Sequence, residues 1–565
     1  MSAYPPLRRV RRDMSASLAA PGGGGRNRPG SKGGPMKIFQ VAPLLLLGLV
    51  LADPTAGSDA ATAEPQFLGR YLVTTEQLHD ADRGYKLETV YPSPDCRRVA
   101  AVFVGNNAQG YVWVEGQGQS PLWDYVIAVE WSPDSRRLAY LATSGGKVHV
   151  VVDGVDAGKY DSVPGNTVPF SSDGSRYGFL AAELKKNQIK SVRAVIDGTA
   201  GESFDNVTGP ENGPLLRFSP GGTHWLMFAR RGDQYFAVVD GSIGPSFDHT
   251  AGDPVWSVDG EHLAYVGVRG EDWYLAHDDT LHGPFPWVCD PAFSPVSNDL
   301  AYCVNEDEQG YVAFNHRPLD RRYYRVRGPV FSPDGRRLAY WASRPPEGSC
   351  VVVDSTAGPI LPSAAGPRFT EHGLLFYDAY LDSTGTRRVF FVENRRLPEM
   401  SGSFASLPLA KGTGSVPGLW LNTPPDGSRI AYGWRVDEWT FNVAIEGEQW
   451  SGFLADPVEW GNDGEHYAFR LIVPRKGDRV IIDGDEGPLY KSALGVRLSP
   501  DGNDVAYIAS HKDKGDERLV MNREEGPPWD GIVPGTVHFQ PDGSLIHYAI
   551  DAPDKLFRVV LTPRK

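Results

Sequence analysis

Phe331-Ser332-Pro333-Asp334-Gly335-Arg336-Arg337-Leu338-Ala339-Tyr340 reads as the end of one β-strand, a tight turn and the start of the next strand. Pro presets the turn backbone, Asp can bond a downstream amide, and Gly accepts positive φ, so the turn is written in residue chemistry. The same arrangement returns from Trp131-Ser132-Pro133-Asp134 to Tyr140 and from Trp256-Ser257-Val258-Asp259 to Tyr265, with an aromatic six residues after the Asp. Later copies place Asp426, Asp463, Asp501 and Asp542 in the Asp slot, and weaker ones Asp95, Asp173, Gly221, Val296 and Glu371. That makes twelve slots, most of them 37 to 41 residues apart, with longer steps from 173 to 221 and from 371 to 426.

A period near forty, with β-branched and aromatic runs between Asp-Gly turns, is that of a four-stranded β-propeller blade and not of a helical repeat. Third strands end in a second tight turn, as in Val150-Val151-Val152-Asp153-Gly154, Val238-Val239-Asp240-Gly241 and Val480-Ile481-Ile482-Asp483-Gly484. The second and third strands are nearly continuous apolar runs, as expected where both faces of a sheet pack on neighbours. Gly 64, Pro 46 and 11% aromatic residues suit many short strands joined by turns.

The fold class expected is therefore all-β, a propeller of about twelve four-stranded blades. Propellers typically hold four to eight blades, so two tandem rings of six plus six are expected, over residues 64–322 and 323–565. The last unit stops after a third strand, Leu556–Leu561, while the first begins with the segment Gly84-Tyr85-Lys86-Leu87. That N-terminal segment is expected to complete the last blade, hiding two sheet edges.

The Ser-Pro-Asp-Gly turn followed by Leu-Ala-Tyr, at this period, resembles the TolB-type, WD-like β-propeller repeats of bacterial exported proteins, over residues 84–565. The resemblance implies the fold. Function is left open by it, because such repeats serve binding, scaffolding and enzymes alike.

Residues 1–63 are expected to lie outside the fold, as an extension rich in Arg, Gly, Pro and Ser followed by a signal peptide. Met36-Lys37-Ile38 leads into an apolar run from Val41 to Ala52, too short to span a bilayer, and Ala61-Thr62-Ala63 fits a cleavage site. A periplasmic or secreted location follows as the expectation. No later segment is long and apolar enough to cross a membrane. The formal net charge is −14, and residues 1–63 carry eight Lys or Arg against three Asp or Glu, so the remainder is more acidic still. An acidic surface repels phosphate, which argues against a nucleic-acid partner.

Catalytic motifs are missing: no G-x-S-x-G stands on a strand-to-helix turn, and neither H-E-x-x-H nor a Walker loop occurs. No catalytic residue, metal or cofactor is expected. His277-Asp278-Asp279-Thr280-Leu281-His282 is read as an ordinary polar turn, although oxygen and imidazole ligands meet in it. Cys289 and Cys303 flank one hairpin and could pair in an oxidising compartment, but they are read as buried small apolar residues. Trp131, Trp256 and Trp460 share the strand slot before the turn and are read as packing residues.

Loops between second and third strands all project from one face of a propeller. Two of them combine Arg with Trp, the residue types enriched at binding hot spots, so Arg269, Trp273, Trp434, Arg435 and Trp439 are the candidate partner-binding residues. The function expected is a monomeric, non-enzymatic binding or scaffold module of the cell envelope, which takes a protein, peptide or glycan. The alternative is a propeller enzyme, a polysaccharide lyase or hydrolase, with its site in the central channel.

Overall fold

Almost every copy of the Ser-Pro-Asp turn joins the first and second strands of an antiparallel ladder. The computed structural model describes residues 66–564, apart from 210–213, 320, 383–387, 394, 397–418, 425–428, 436–440, 446–447, 455, 512–514 and 553. The expected leader, the Asp426 turn and Trp439 lie outside the described residues. Eleven sheets are present among those residues, one of them two blade ladders joined where Phe453 and Leu454 pass from one to the next. Twelve ladders result, numbered here as blades by their turn slots, so that Asp334 belongs to blade seven. The propeller reading of the sequence is the observed architecture.

Blade seven shows why the repeat folds as it does. Its strands are Arg325–Phe331, Leu338–Arg344, Gly348–Val353 and Thr356–Ala357, in that order across the sheet. The Ser332 hydroxyl donates to Asp334 Oδ1 at 2.5 Å and accepts the Arg337 amide at 3.0 Å, while Asp334 Oδ1 also accepts the Arg336 amide at 3.1 Å. These contacts satisfy amides that no strand partner reaches. The same Ser hydroxyl bond holds the carboxyls of Asp173, Asp259 and Asp501 down at about 2.

The third-strand Asp has an equally definite task. Asp354 sits at φ 46° and its Oδ1 accepts the amide of Leu338, the first residue of the second strand, at 2.9 Å. Asp153, Asp197, Asp240, Asp278 and Asp483 repeat both features toward Leu138, Tyr177, Trp225, Leu263 and Tyr467. Asp tolerates this left-handed backbone and its carboxylate caps the neighbouring strand, which explains the Val-Val-Asp-Gly endings. The second carboxylate oxygen meets the residue before the second strand: Arg137 at 2.8 Å, Arg176 at 3.0 Å, His262 at 2.7 Å and His466 at 3.0 Å.

Cores form between adjacent blades, although among the described residues none joins blade eight to blade nine. Ala139, Leu141 and Val150 of blade two pack on Phe179 and Val195 of blade three, and Ala264, Val266 and Leu275 of blade five pack on Tyr302 and Val304 of blade six. A core of the same kind crosses residues 322 and 323, where Ala301, Cys303 and Val312 pack with Val326, Tyr340, Cys350 and Val352. The boundary expected there thus coincides with no break in packing among the described residues. Residues 64–565 form one compact unit.

The first blade also packs on the last, through Val99, Phe103 and Tyr111 against Val533, Tyr548 and Leu556. The clasp expected from the sequence is present, with a different strand. Tyr71–Asp80 pairs along Lys555–Pro563 as the fourth strand of blade twelve, whereas Tyr85–Pro92, which contains the segment assigned to that role, is the first strand of blade one. The reason is apolar content: Leu68, Tyr71 and Val73 enter the core of the last blades, which the more polar Tyr85-Lys86-Leu87 could not fill.

His547, on the second strand of blade twelve, is 1% exposed, and burial pushes its imidazole down to about 4. Above pH 6.5 the ring is neutral in both folded and unfolded chains and contributes no pH slope. Below it, the unfolded chain takes up a proton that the folded chain refuses until about pH 4, so stability falls with acidification across that window by about 3 kcal/mol. Replacing His547→Leu should flatten the pH 6.5 to 4 limb of a denaturation series by that amount; an unchanged slope would contradict this assignment.

Candidate functional site

In a four-stranded antiparallel ladder alternate turns lie at the same end, so the second-to-third strand loops share a rim, as do the links from one blade to the next. Arg269 ends the second strand of blade five on this rim. Its Nε donates to the Ser246 carbonyl at 2.8 Å, and its guanidinium lies over the rings of Phe247 and Tyr274 at 5.0 and 5.3 Å. Trp273 is half-buried in the core between blades five and six, its ring edge-on to Trp287 at 6.3 Å. Both side chains are thus engaged in packing. Trp434 and Arg435 close the strand Ala431–Arg435, opposite Leu419 and Phe441 respectively, and their side chains lie outside the described residues, as does the whole of Trp439. The Trp of the pre-turn slot packs as expected: Trp131 Nε1 donates to the Tyr91 carbonyl at 2.9 Å, and Trp256 and Trp460 lie against blade cores.

Sequence reading passed over a second place on the same rim. An open cleft of about 510 Å³ lies between blades six and seven, lined by Glu308, Arg322, Tyr323, Tyr324, Arg344 and Glu347. Arg322 is exposed, with its guanidinium 3.9 Å above the ring of Tyr311, and Arg344 and Glu347 stand exposed on the opposite turn. The local cause is the blade-to-blade link, where Arg321-Arg322-Tyr323-Tyr324 has no strand to enter before Arg325. Backbone bonds between Gly310 and Tyr323 hold the link in place, at 2.6 and 2.9 Å. The run of Arg and Tyr was the available signal, and it fell outside the loops whose position the repeat predicts.

The opposite rim carries the turns after first and third strands, and there the structure gathers histidines. His277 ends the third strand of blade five, Asp272–His277; Asp278, at φ 49°, turns the chain, and His282 lies on the fourth strand, Thr280–Phe285. His316 comes from the matching turn of blade six, at φ 64°, in the slot that Gly154, Gly198, Gly241 and Gly484 fill in sister blades. His277 Nδ1 and His316 Nε2 are 2.9 Å apart, and the His282 and His316 rings stack at 3.8 Å. Tyr302 Oη is 3.4 Å from His316 Nδ1, and the Asp278 carboxylate is 3.8 Å from His277 Nε2, a buried nitrogen with no hydrogen-bond partner. Burial, and then the neighbouring imidazoles, push His316 down to about 4; burial also lowers His277 and His282, so all three are neutral near pH 7. Asp278 behaves as the polar-turn reading holds, capping Leu263 and pairing with His262. What that reading missed is His316, 34 residues beyond His282 and legible only once the two turns are seen to share a rim.

Cys289 and Cys303 face each other directly across two strands of blade six, as free thiols.

No protein-family model matches the chain, and no curated protein matches it in sequence. Among solved structures it is similar to TolB from Acinetobacter baumannii, at 17% identity over 42% of this chain and 64% of that one, with a TM-score of 0.19. The β-propeller domain of the trilobed protease from Pyrococcus furiosus shares 14% identity over 48% of this chain and 94% of its own, with a TM-score of 0.22. A third similarity is to the Dos1 propeller, at 10% identity over 54% and 91%, with a TM-score of 0.23. The propeller assignment stands on the ladders themselves. No helix of the described residues is long and apolar enough to cross a membrane.

Proposed function

We propose that this chain is a propeller-type binding module that receives a protein or peptide partner in the cleft between blades six and seven. The observation that carries the reading is the exposed Arg322 and Arg344 beside Tyr324, on a rim whose geometry the blade cores hold rigid. Arg and Tyr supply planar, amphipathic contact area at low entropic cost, and a fixed frame avoids ordering losses on binding. Glu308 and Glu347 flank the two arginines, so the cleft offers both signs of charge and suits a polypeptide with mixed side chains.

Arg269 and Trp273, half-buried on the same rim, pack on neighbouring rings, and Arg322 and Arg344 are more exposed than either. The combined change Arg322→Ala, Tyr324→Ala and Arg344→Ala should weaken a partner captured by cross-linking with the wild-type protein by 100-fold or more, about 3 kcal/mol for hot-spot groups. The melting temperature should stay within a few degrees, because Arg322 and Arg344 are exposed and Tyr324 is only half-buried. Partner capture undiminished by the triple change would refute the cleft as the binding surface.

A further inference from the structure

We infer that His277, His282 and His316 form a binding site for a zinc-class divalent cation at the seam of blades five and six. The three side chains place one candidate ligand nitrogen each within 4.8 Å of one another, from the third and fourth strands of blade five and the matching turn of blade six. A tetrahedral site with metal–nitrogen distances of 2.0 to 2.1 Å needs nitrogens about 3.3 Å apart. The closest pair stands at 2.9 Å and the widest within 4.8 Å, so the set reaches that geometry once the stacked His282 and His316 rings turn so that their ring nitrogens converge.

The outward nitrogens support the same reading. A metal-binding imidazole usually donates its other N–H to a carboxylate or hydroxyl, which fixes its tautomer. His277 turns Nδ1 toward His316 and Nε2 toward the Asp278 carboxylate at 3.8 Å; His316 turns Nε2 toward His277 and Nδ1 toward Tyr302 Oη at 3.4 Å. The Asp278 carboxylate is held by the Leu263 amide and His262, so the buried, unpartnered His277 Nε2 gains a partner if its ring turns toward that fixed carboxylate on binding a cation.

The turn itself does not require an imidazole: the slot of His316, in the left-handed region, holds Gly154, Gly198, Gly241 and Gly484 in four sister blades, Ser355 in blade seven and Arg523 in blade eleven. His262, the remaining histidine of the cluster, is committed to Asp278 at 2.7 Å, the strut seen in other blades as Arg137 with Asp153 and Arg176 with Asp197.

An all-imidazole donor set selects among cations. Calcium and magnesium require oxygen ligands, whereas neutral imidazole suits zinc and its first-row neighbours. Three ligands leave the fourth tetrahedral position to water or to a donor from outside the chain.

The test uses the full chain stripped with chelator and titrated with zinc chloride by calorimetry, with cobalt(II) in parallel as an absorbing stand-in. The expected result is one equivalent bound per chain, visible cobalt bands of tetrahedral intensity, and a melting temperature raised by zinc. His316→Gly places in the left-handed slot the residue found there in blades two, three, four and ten; it should melt like the stripped wild type and lose both zinc binding and the cobalt bands. Tyr302→Phe should retain the bands and bind zinc about 10-fold more weakly. Absence of binding to the stripped wild type, or binding undiminished in His316→Gly, would overturn the proposal.

Discussion

A chain lacking residues 64–80 should unfold well below the full chain, with its last blade reduced to three strands. Tyr71–Asp80 supplies the outer strand of that blade, and its loss uncovers the ladder edge of Lys555–Pro563 along with core neighbours Leu519, Met521 and Leu561. An uncovered edge of this length is also a template for aggregation, so scattering on heating should appear earlier in the truncated chain. Much of the effect resides in Tyr71, 1% exposed, whose hydroxyl donates to Asp504 Oδ2 at 2.6 Å. Asp504 is itself buried and accepts further bonds from Arg70 and from Asn522 Nδ2, the latter at 2.6 Å. Tyr71→Ala removes the ring and a buried donor together and should cost about 3–5 kcal/mol in chemical denaturation. Tyr71→Phe keeps the ring and should cost about 1–3 kcal/mol, the penalty of a buried carboxylate short of one donor. Equal melting of truncated and full chains would show that the strand closes nothing.

Separate expression of residues 64–322 and 323–565 should yield two chains with no cooperative thermal transition. The cut passes through a shared core: the first piece loses Val326, Tyr340, Cys350 and Val352, and the second loses Ala301, Cys303 and Val312. It also strips the paired bonds of buried Asn305, whose Oδ1 accepts the Val326 amide at 2.9 Å while Nδ2 donates to the Val326 carbonyl at 3.2 Å. The second piece further lacks the strand Tyr71–Asp80 that completes its last blade. Exposed apolar surface of this extent should bind a hydrophobic dye and abolish near-ultraviolet circular dichroism. Two rings of six blades would survive the same cut as independent cooperative units, so near-native melting of both pieces would establish the six-plus-six division.

Much of the fold was legible because each blade is encoded locally. Ser332 and Asp334 bind amides within five residues of themselves, and the third-strand Asp turns the chain and caps the strand beside it, so each feature recurs at a fixed offset and announces itself in one dimension. The site was harder to read. The surroundings of Arg269 and Trp273 were not in the local pattern, because the rings of Phe247, Tyr274 and Trp287 that meet them are brought close by the blade sheets.

The sequence by itself determined the repeat, its period, the turn chemistry and the all-β class, since these depend on contacts between residues near each other in the chain. Tertiary structure decided which N-terminal strand clasps the last blade, that Arg322 and Arg344 line one cleft, and that His316 meets His277 and His282. Those outcomes depend on how one blade's turns are set against the next blade's, and the packing that sets them joins residues tens to hundreds of positions apart with no shared local pattern.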